Sequence, residues 1–251
     1  MMVLLAGALM SGGVYLNYRR KRNLSNLKTS LMELEFRSLG TQLNPHFVNN
    51  ALNSASAQIA KKDLKTGLIY LSNFGKLMRT IFNNSAVSVI SLEDELDAIR
   101  QYLNLEKIRL KDRIEYSIEI DPAVDTFEHL VPSLFLQPLV ENAIWHGILP
   151  GHESGKVVIK VHPKDQGIEI QIRDNGVGFL NKSKSLTFQE SRETKDKHRH
   201  SLEVVQQRLK LMEKVYKTRF HLEIRELEPN SPRPGTLLSI FISEIPANQL
   251  T

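Results

Sequence analysis

The spacing of apolar residues in this chain changes abruptly at Lys111-Asp112, and that change sets what the chain can fold into. Before it, Leu92, Leu96, Ile99 and Leu103 recur every three or four residues and, with Leu110, share one side of a helix. Ser91-Leu92-Glu93-Asp94 opens that helix as an N-cap followed by acids in the first turn. After it, Ile114, Tyr116, Ile118 and Ile120 alternate with polar residues, the period of a strand with one buried face. The expected architecture is a helical region followed by an α/β region that starts near residue 113.

Upstream, the helical pattern runs from Leu24 to about Asn83, with Leu24, Leu27, Leu31, Leu34, Leu39 and Leu43 as apolar positions. Pro45 interrupts it, because proline lacks the N–H that a helix interior needs. A second helical stretch, 63–82, carries Leu64, Leu68, Leu71, Leu77 and Ile81. Two amphipathic helices with a short connection predict a helical hairpin that buries its apolar faces best in a dimeric four-helix bundle. Downstream, the expectation is a helix from about Pro132 to His146 and strands at 156–161 and 167–173. A polar, basic, mobile loop over 180–201 should follow, then a helix over 202–215 and strands at 220–226 and 236–242.

The first sixteen residues carry no charge, and Arg19, Arg20, Lys21 and Arg22 follow at once. At 1.5 Å per residue such a run spans about 24 Å, somewhat less than a bilayer core of roughly 30 Å. Positive charge after the apolar run, rather than before it, argues against a signal peptide and puts the following residues in the cytoplasm. Residues 1–18 therefore read as a membrane helix, or as the end of a longer one truncated at its start. A buried or interfacial helix is the alternative. No sizeable sensor region precedes this segment, so the input is expected through a partner or from a longer receptor of which the chain is a fragment.

Composition narrows the chemistry. The 251 residues contain no cysteine, which excludes disulfides, thiolate zinc sites and a cysteine nucleophile and fits a reducing compartment. The net charge of +5 suits a membrane surface, a phosphate-rich ligand or nucleic acid. Aromatic residues do not interleave with a basic stripe, so a nucleic-acid partner is not expected.

Three segments carry candidate chemistry. Gln42-Leu43-Asn44-Pro45-His46-Phe47 places an imidazole beside a proline on the hairpin. An exposed histidine is a competent nucleophile towards phosphorus, although it also suits a kinked helix. Leu139-Val140-Glu141-Asn142-Ala143-Ile144-Trp145-His146-Gly147 gathers an acid, an amide and an imidazole at a helix end. The Asn142 amide oxygen suits Mg²⁺, and Glu141 suits a proton acceptor. A polar helix terminus closed by Gly147 would look the same. Asp174-Asn175-Gly176-Val177-Gly178-Phe179 follows a strand directly. Its glycines let backbone approach a ligand, and its carboxylate suits an exocyclic purine amine; a tight turn between strands is the plainer reading.

Taken in order, these segments resemble the histidine kinases of the LytS-like type. Gln42, Asn44, Pro45, His46, Phe47, Asn50, Ala51, Leu52 and Asn53 match the family's histidine segment. Leu139, Glu141, Asn142, Ala143, His146 and Gly147 match its asparagine segment, and Asp174, Gly176 and Gly178 its first glycine segment. Tyr102, Glu106 and Arg109 look like its linking helix. The resemblance covers about residues 24–245.

It implies a helical dimerisation and phosphotransfer region (19–112) followed by a Bergerat-type α/β sandwich that binds ATP (113–251). It makes His46 the phosphoacceptor, Asn142 the Mg²⁺-ATP ligand and Asp174 the adenine-reading carboxylate. Glu141 would organise the attack. His146, Gly176, Gly178, Ser201, Gly235 and Thr236 would complete the nucleotide site. The implied protein is a sensor kinase of the bacterial cytoplasmic membrane, with its kinase region in the cytoplasm, that passes phosphate to a response-regulator aspartate.

Two departures stand out. Asn49 replaces an aromatic residue after the histidine, and Lys197-His198-Arg199-His200-Ser201 stands where the family's second glycine segment belongs, with Ser201 at a glycine position. A side chain there obstructs the approach of backbone amides to phosphate, so a non-catalytic signalling subunit that keeps dimerisation is the alternative expectation.

Overall fold

The computed structural model describes residues 15–16, 18–19, 22, 51–53, 55–56, 64–111, 113–151, 154–178 and 191–245, with side chains from 202 in the last stretch. His46 and Asn49 lie outside the described residues, as does nearly all of the apolar segment 1–16. Among the described residues no helix is long and apolar enough to cross a membrane.

Helix α1 (Leu64–Ser85) buries Tyr70, Leu77 and Ile81, and it is followed by the short strand β1 (Val89–Ser91). Ser91 caps α2 (Leu92–Arg109): its Oγ accepts from the Asp94 N–H at 3.1 Å and donates to the Asp94 carboxylate at 2.7 Å. α2 buries the predicted stripe of Leu92, Leu96, Ile99 and Leu103. The period-two segment is β2 (Ile114–Ile120), as its alternation requires.

The expected helix from Pro132 divides into three parts. Leu130–Pro132 is a strand, β3, antiparallel to β1 with Val89 opposite Pro132. Helix α3 begins only at Leu136 and runs to Asn142. Pro138 gives the reason: in the first turn its missing N–H costs nothing, whereas a helix begun at Pro132 would place it in the interior. Beyond Asn142 the chain widens into a π-type turn, Ala143–Ile148, and a short 3₁₀ turn, Leu149–Gly151. Gly147 is thus no left-handed helix cap; positive φ among the described glycines occurs only at Gly178 and Gly235.

Strands β4 (Gly155–Lys164) and β5 (Gly167–Asp174) are longer than the sequence pattern predicts. Helix α4 spans Ser191–Tyr216, followed by β6 (Phe220–Glu226) and β7 (Thr236–Ser243). The expected loop over 180–201 is therefore helix from Ser191. The Lys, Arg and Glu of this stretch are good helix formers, and the anchored half from Leu202 onward extends the same helix without a break.

The sheet order is β2-β4-β5-β7-β6, with β2 parallel to β4 and the other neighbours antiparallel. A parallel pair cannot close through a hairpin. The connection from β2 to β4 instead carries β3 and α3 onto the sheet face and delivers Asn142 there. The core forms where Ile159 and Val161 of β4, Ile170 and Ile172 of β5 and Ile240 of β7 meet Leu136, Leu139 and Val140 of α3. Val205 and Leu209 of α4 join the same core, so the sheet has helices on this face. Burying each of these side chains contributes on the order of 1.5–3 kcal/mol.

Candidate nucleotide site

The last residue of β5 is Asp174, 3% exposed, opposite Thr236 in the β5–β7 register. Its Oδ1 accepts from the Gly176 N–H at 2.8 Å, so the carboxylate folds its own turn. That turn is stitched on both sides: Val177 N–H donates to the Gly147 carbonyl at 2.8 Å, and Gly235 N–H donates to the Gly176 carbonyl at 3.0 Å. The Asn175 side chain accepts from Lys156 N–H at 2.7 Å and ties the turn to β4.

The turn needs its glycines for space. A Cβ on Gly176 would lie 2.0 Å from the Gly147 carbonyl oxygen, and one on Gly147 would lie 2.7 Å from Asp174 Oδ1. The asparagine and aspartate segments, distant in sequence, thus meet backbone to carboxylate. These two contacts differ in what can give. Gly176→Ala confronts backbone and is expected to destabilise the fold by about 3 kcal/mol. Gly147→Ala meets a side chain and should lower stability less while displacing the Asp174 carboxylate. Urea midpoints and nucleotide affinity measured on both variants check this; equal midpoints would contradict it.

A cleft opens at this junction. Asn142, His146, Asp174, Gly178 and Thr236 line its polar side, and Leu139, Ile172, Leu202, Ile224 and Leu238 its apolar side. The apolar wall suits a flat heteroaromatic ring, and Asp174 offers such a ring an acceptor. The Asn142 amide nitrogen is buried with no hydrogen-bond partner among the described residues. An amide left open in this way fits a phosphate oxygen as acceptor, and its oxygen fits Mg²⁺. Gly176 and Gly235 support the turn behind the cleft. Ser201 lies within α4 rather than in a loop.

Glu141 is not among the cleft-lining residues. Its carboxylate accepts from Gln137 at 3.0 Å, and burial together with the nearby charge of Glu106 pushes it up to about 7. Glu106 is fully buried, paired with Arg109, and also raised by burial. The Arg109 guanidinium stacks 4.3 Å from the Trp145 ring centroid. Of the linking-helix residues, Arg109 therefore contacts the π-type turn that carries His146, and Glu106 pairs with Arg109 behind it. Neither Trp145 in this cluster nor Leu202 in the cleft has a local sequence signal, because both depend on which helix faces which.

A pH dependence follows from Glu141. Its folded-state value of about 7 exceeds the ordinary 4.5, so between those values the folded protein holds more protons. The stability it contributes is complete below about 4.5 and is lost as pH rises through about 7. Relative to wild type, Glu141→Gln should gain on the order of 2 kcal/mol in urea unfolding between pH 5 and pH 8. Parallel stability curves would contradict it.

Comparison with known proteins bears on both regions. Residues 34–114 match the family described as histidine kinase. Residues 132–246 match the histidine kinase-, DNA gyrase B- and HSP90-like ATPases. Over 151 residues the chain is 36% identical to the sensor protein LytS of Staphylococcus saprophyticus, covering 59% of this chain and 25% of that protein. Over 154 residues it is 35% identical to the sensor histidine kinase YpdA of Escherichia coli K12, covering 61% of this chain and 26% of that protein. The chain thus spans about a quarter of the length of these relatives.

Proposed function

We propose that this chain, which belongs to the histidine kinases of the LytS-like type, is the ATP-dependent kinase portion of a two-component sensor that phosphorylates His46. The observation that carries the reading is the cleft in which Asn142, His146, Asp174, Gly178 and Thr236 converge, with the Asn142 amide nitrogen left unpartnered.

Each residue has a task there. Asp174 accepts from the exocyclic amine of adenine, and the apolar wall excludes water from the ring faces. Asn142 holds Mg²⁺ through its oxygen and a phosphate oxygen through its nitrogen. His146, close to Asn142 in the chain, adds a polar contact on the phosphate side. Mg²⁺, when bound, neutralises charge on the phosphates. His46 supplies the nucleophilic imidazole nitrogen, and the bond from the γ-phosphorus to the bridging oxygen breaks as the nitrogen–phosphorus bond forms. Glu141 acts indirectly, through the α2-facing cluster that supports the π-type turn.

Dimerisation belongs to the same reading. α1 leaves Leu64, Leu68 and Phe82 exposed, and their spacing puts them on one side of the helix, as a bundle partner requires. The apolar segment 1–18 anchors the chain at the bacterial cytoplasmic membrane, with the kinase region in the cytoplasm, and the phosphoryl group passes to a response-regulator aspartate. Incubating the full chain with Mg-ATP should yield acid-labile, alkali-stable protein phosphate. Tight ATP binding with no such phosphate would instead favour the non-catalytic subunit.

A further inference from the structure

The turn joining β3 to α3 is held by two buried charged side chains from other elements. Ser133, Leu134 and Phe135 make up this turn, and Leu134, 2% exposed, has a φ of 55°. A bulky residue adopts that conformation only when its surroundings impose it.

The surroundings are specific. Glu95 of α2, fully buried, reaches across so that Oε2 accepts from Leu134 N–H at 2.7 Å and Oε1 from Leu136 N–H at 2.8 Å. α3 has no capping side chain of its own, so a carboxylate from α2 satisfies its first donors. Arg208 of α4, 5% exposed, donates to the Ser133 carbonyl at 2.6 Å and to Ser133 Oγ at 3.1 Å. Ser133 Oγ in turn donates to the Val87 carbonyl at 2.7 Å. Arg208 is also close enough to Glu95 to act on its charge.

α2, α3 and α4 are therefore tied at one point, and none of Glu95, Ser133 and Arg208 lines the nucleotide cleft. α3 is seven residues long and ends at Asn142, so a shift at its first turn is carried rigidly to the cleft. We infer that Glu95 and Arg208 are positioning residues that set Asn142 and His146 relative to α2 and α4, so that nucleotide affinity and the placement of α2 are coupled through the Ser133–Phe135 turn. The inference rests on the nucleotide-binding reading of the cleft. By reciprocity, a nucleotide bound at Asn142 must tighten the same joint.

The test uses the full chain and a non-hydrolysable Mg-ATP analogue. Glu95→Gln and Arg208→Lys, measured where circular dichroism shows each fully folded, are each expected to weaken analogue binding about tenfold. The double variant should be little worse than the worse single one, because both residues act on one turn. A merely structural role would reduce the folded fraction and leave the affinity of the folded molecules unchanged. Wild-type affinity in both folded variants, or fully additive losses, would overturn the proposal.

Should the variants not fold, hydrogen exchange on wild type decides. The analogue is expected to slow exchange of the Leu134 and Leu136 amides and of α2 around residue 95; unchanged exchange there would overturn the coupling. Wild type that binds the analogue but forms no phosphohistidine with Mg-ATP counts against the kinase reading alone. Wild type that does not bind it overturns both.

Discussion

His46→Gln is expected to remove all acid-labile phosphate from the chain while leaving nucleotide affinity at the wild-type level. Phosphoryl transfer needs a nitrogen lone pair that is basic near neutral pH, and imidazole supplies one. The amide nitrogen of glutamine is delocalised into its carbonyl and does not attack phosphorus. His46 lies in the segment matched to the histidine-kinase family, far in sequence from Asn142 and Asp174, so its loss should not disturb the cleft. Labelling with γ-labelled ATP and acid treatment of the product, beside analogue titration, reads both quantities. Residual acid-labile phosphate in the variant would move the phosphoacceptor elsewhere and end the assignment.

Asp174→Asn should have the complementary outcome, with nucleotide binding and phosphorylation both lost. The Asp174 carboxylate already accepts from Gly176 N–H, and its remaining acceptor capacity is what an adenine amine would use. Asparagine can keep the first bond only by turning its own N–H₂ towards the ligand's amine, donor against donor. An unmatched buried polar pair costs about 1–3 kcal/mol, and two mismatched donors sit at the upper end, so the expected loss of affinity is on the order of a hundredfold. The fold should survive, because the Gly176 bond and the β5–β7 register do not need the charge. Titration of adenine and guanine nucleotides against both proteins checks the assignment. Undiminished adenine affinity in the variant would remove Asp174 from base recognition.

The two variants separate binding from transfer, which matters for a chain whose residue 201 is serine inside a helix. If wild type binds nucleotide and His46→Gln changes nothing measurable, the site is a nucleotide sensor. If wild type labels and His46→Gln does not, the departure at Ser201 is compatible with turnover.

Much of this was legible in the sequence because it is local. Ser91 as a cap depends on residues 91–94, β2 on its alternation, and the Asp174 turn on glycines within four positions. His46, Asn142 and Asp174 were singled out by short patterns of residue type and order. Those same patterns misjudged 132–135 and 191–201. In the first, Pro132 resembles a helix start, although Pro138 tolerates only a helix beginning later. In the second, a lack of apolar anchors resembles a loop, although helix propensity and continuity with Leu202 onward suffice.

Sequence by itself determined the switch from helix to strand after Lys111, the turn chemistry of Asp174-Asn175-Gly176 and the residue types available for phosphate and base. Periodicity and local backbone preference act over a few residues, and these features need no more. Tertiary structure alone decided that Gly147 is glycine because Asp174 lies against it, that Glu141 faces Glu106 rather than the cleft, and that Glu95 and Arg208 meet at Ser133–Leu136. Each of these joins residues tens of positions apart. No local rule specifies such a meeting; it arises when the parallel β2–β4 connection lays α3 on the sheet and the apolar faces of α2 and α4 close over it.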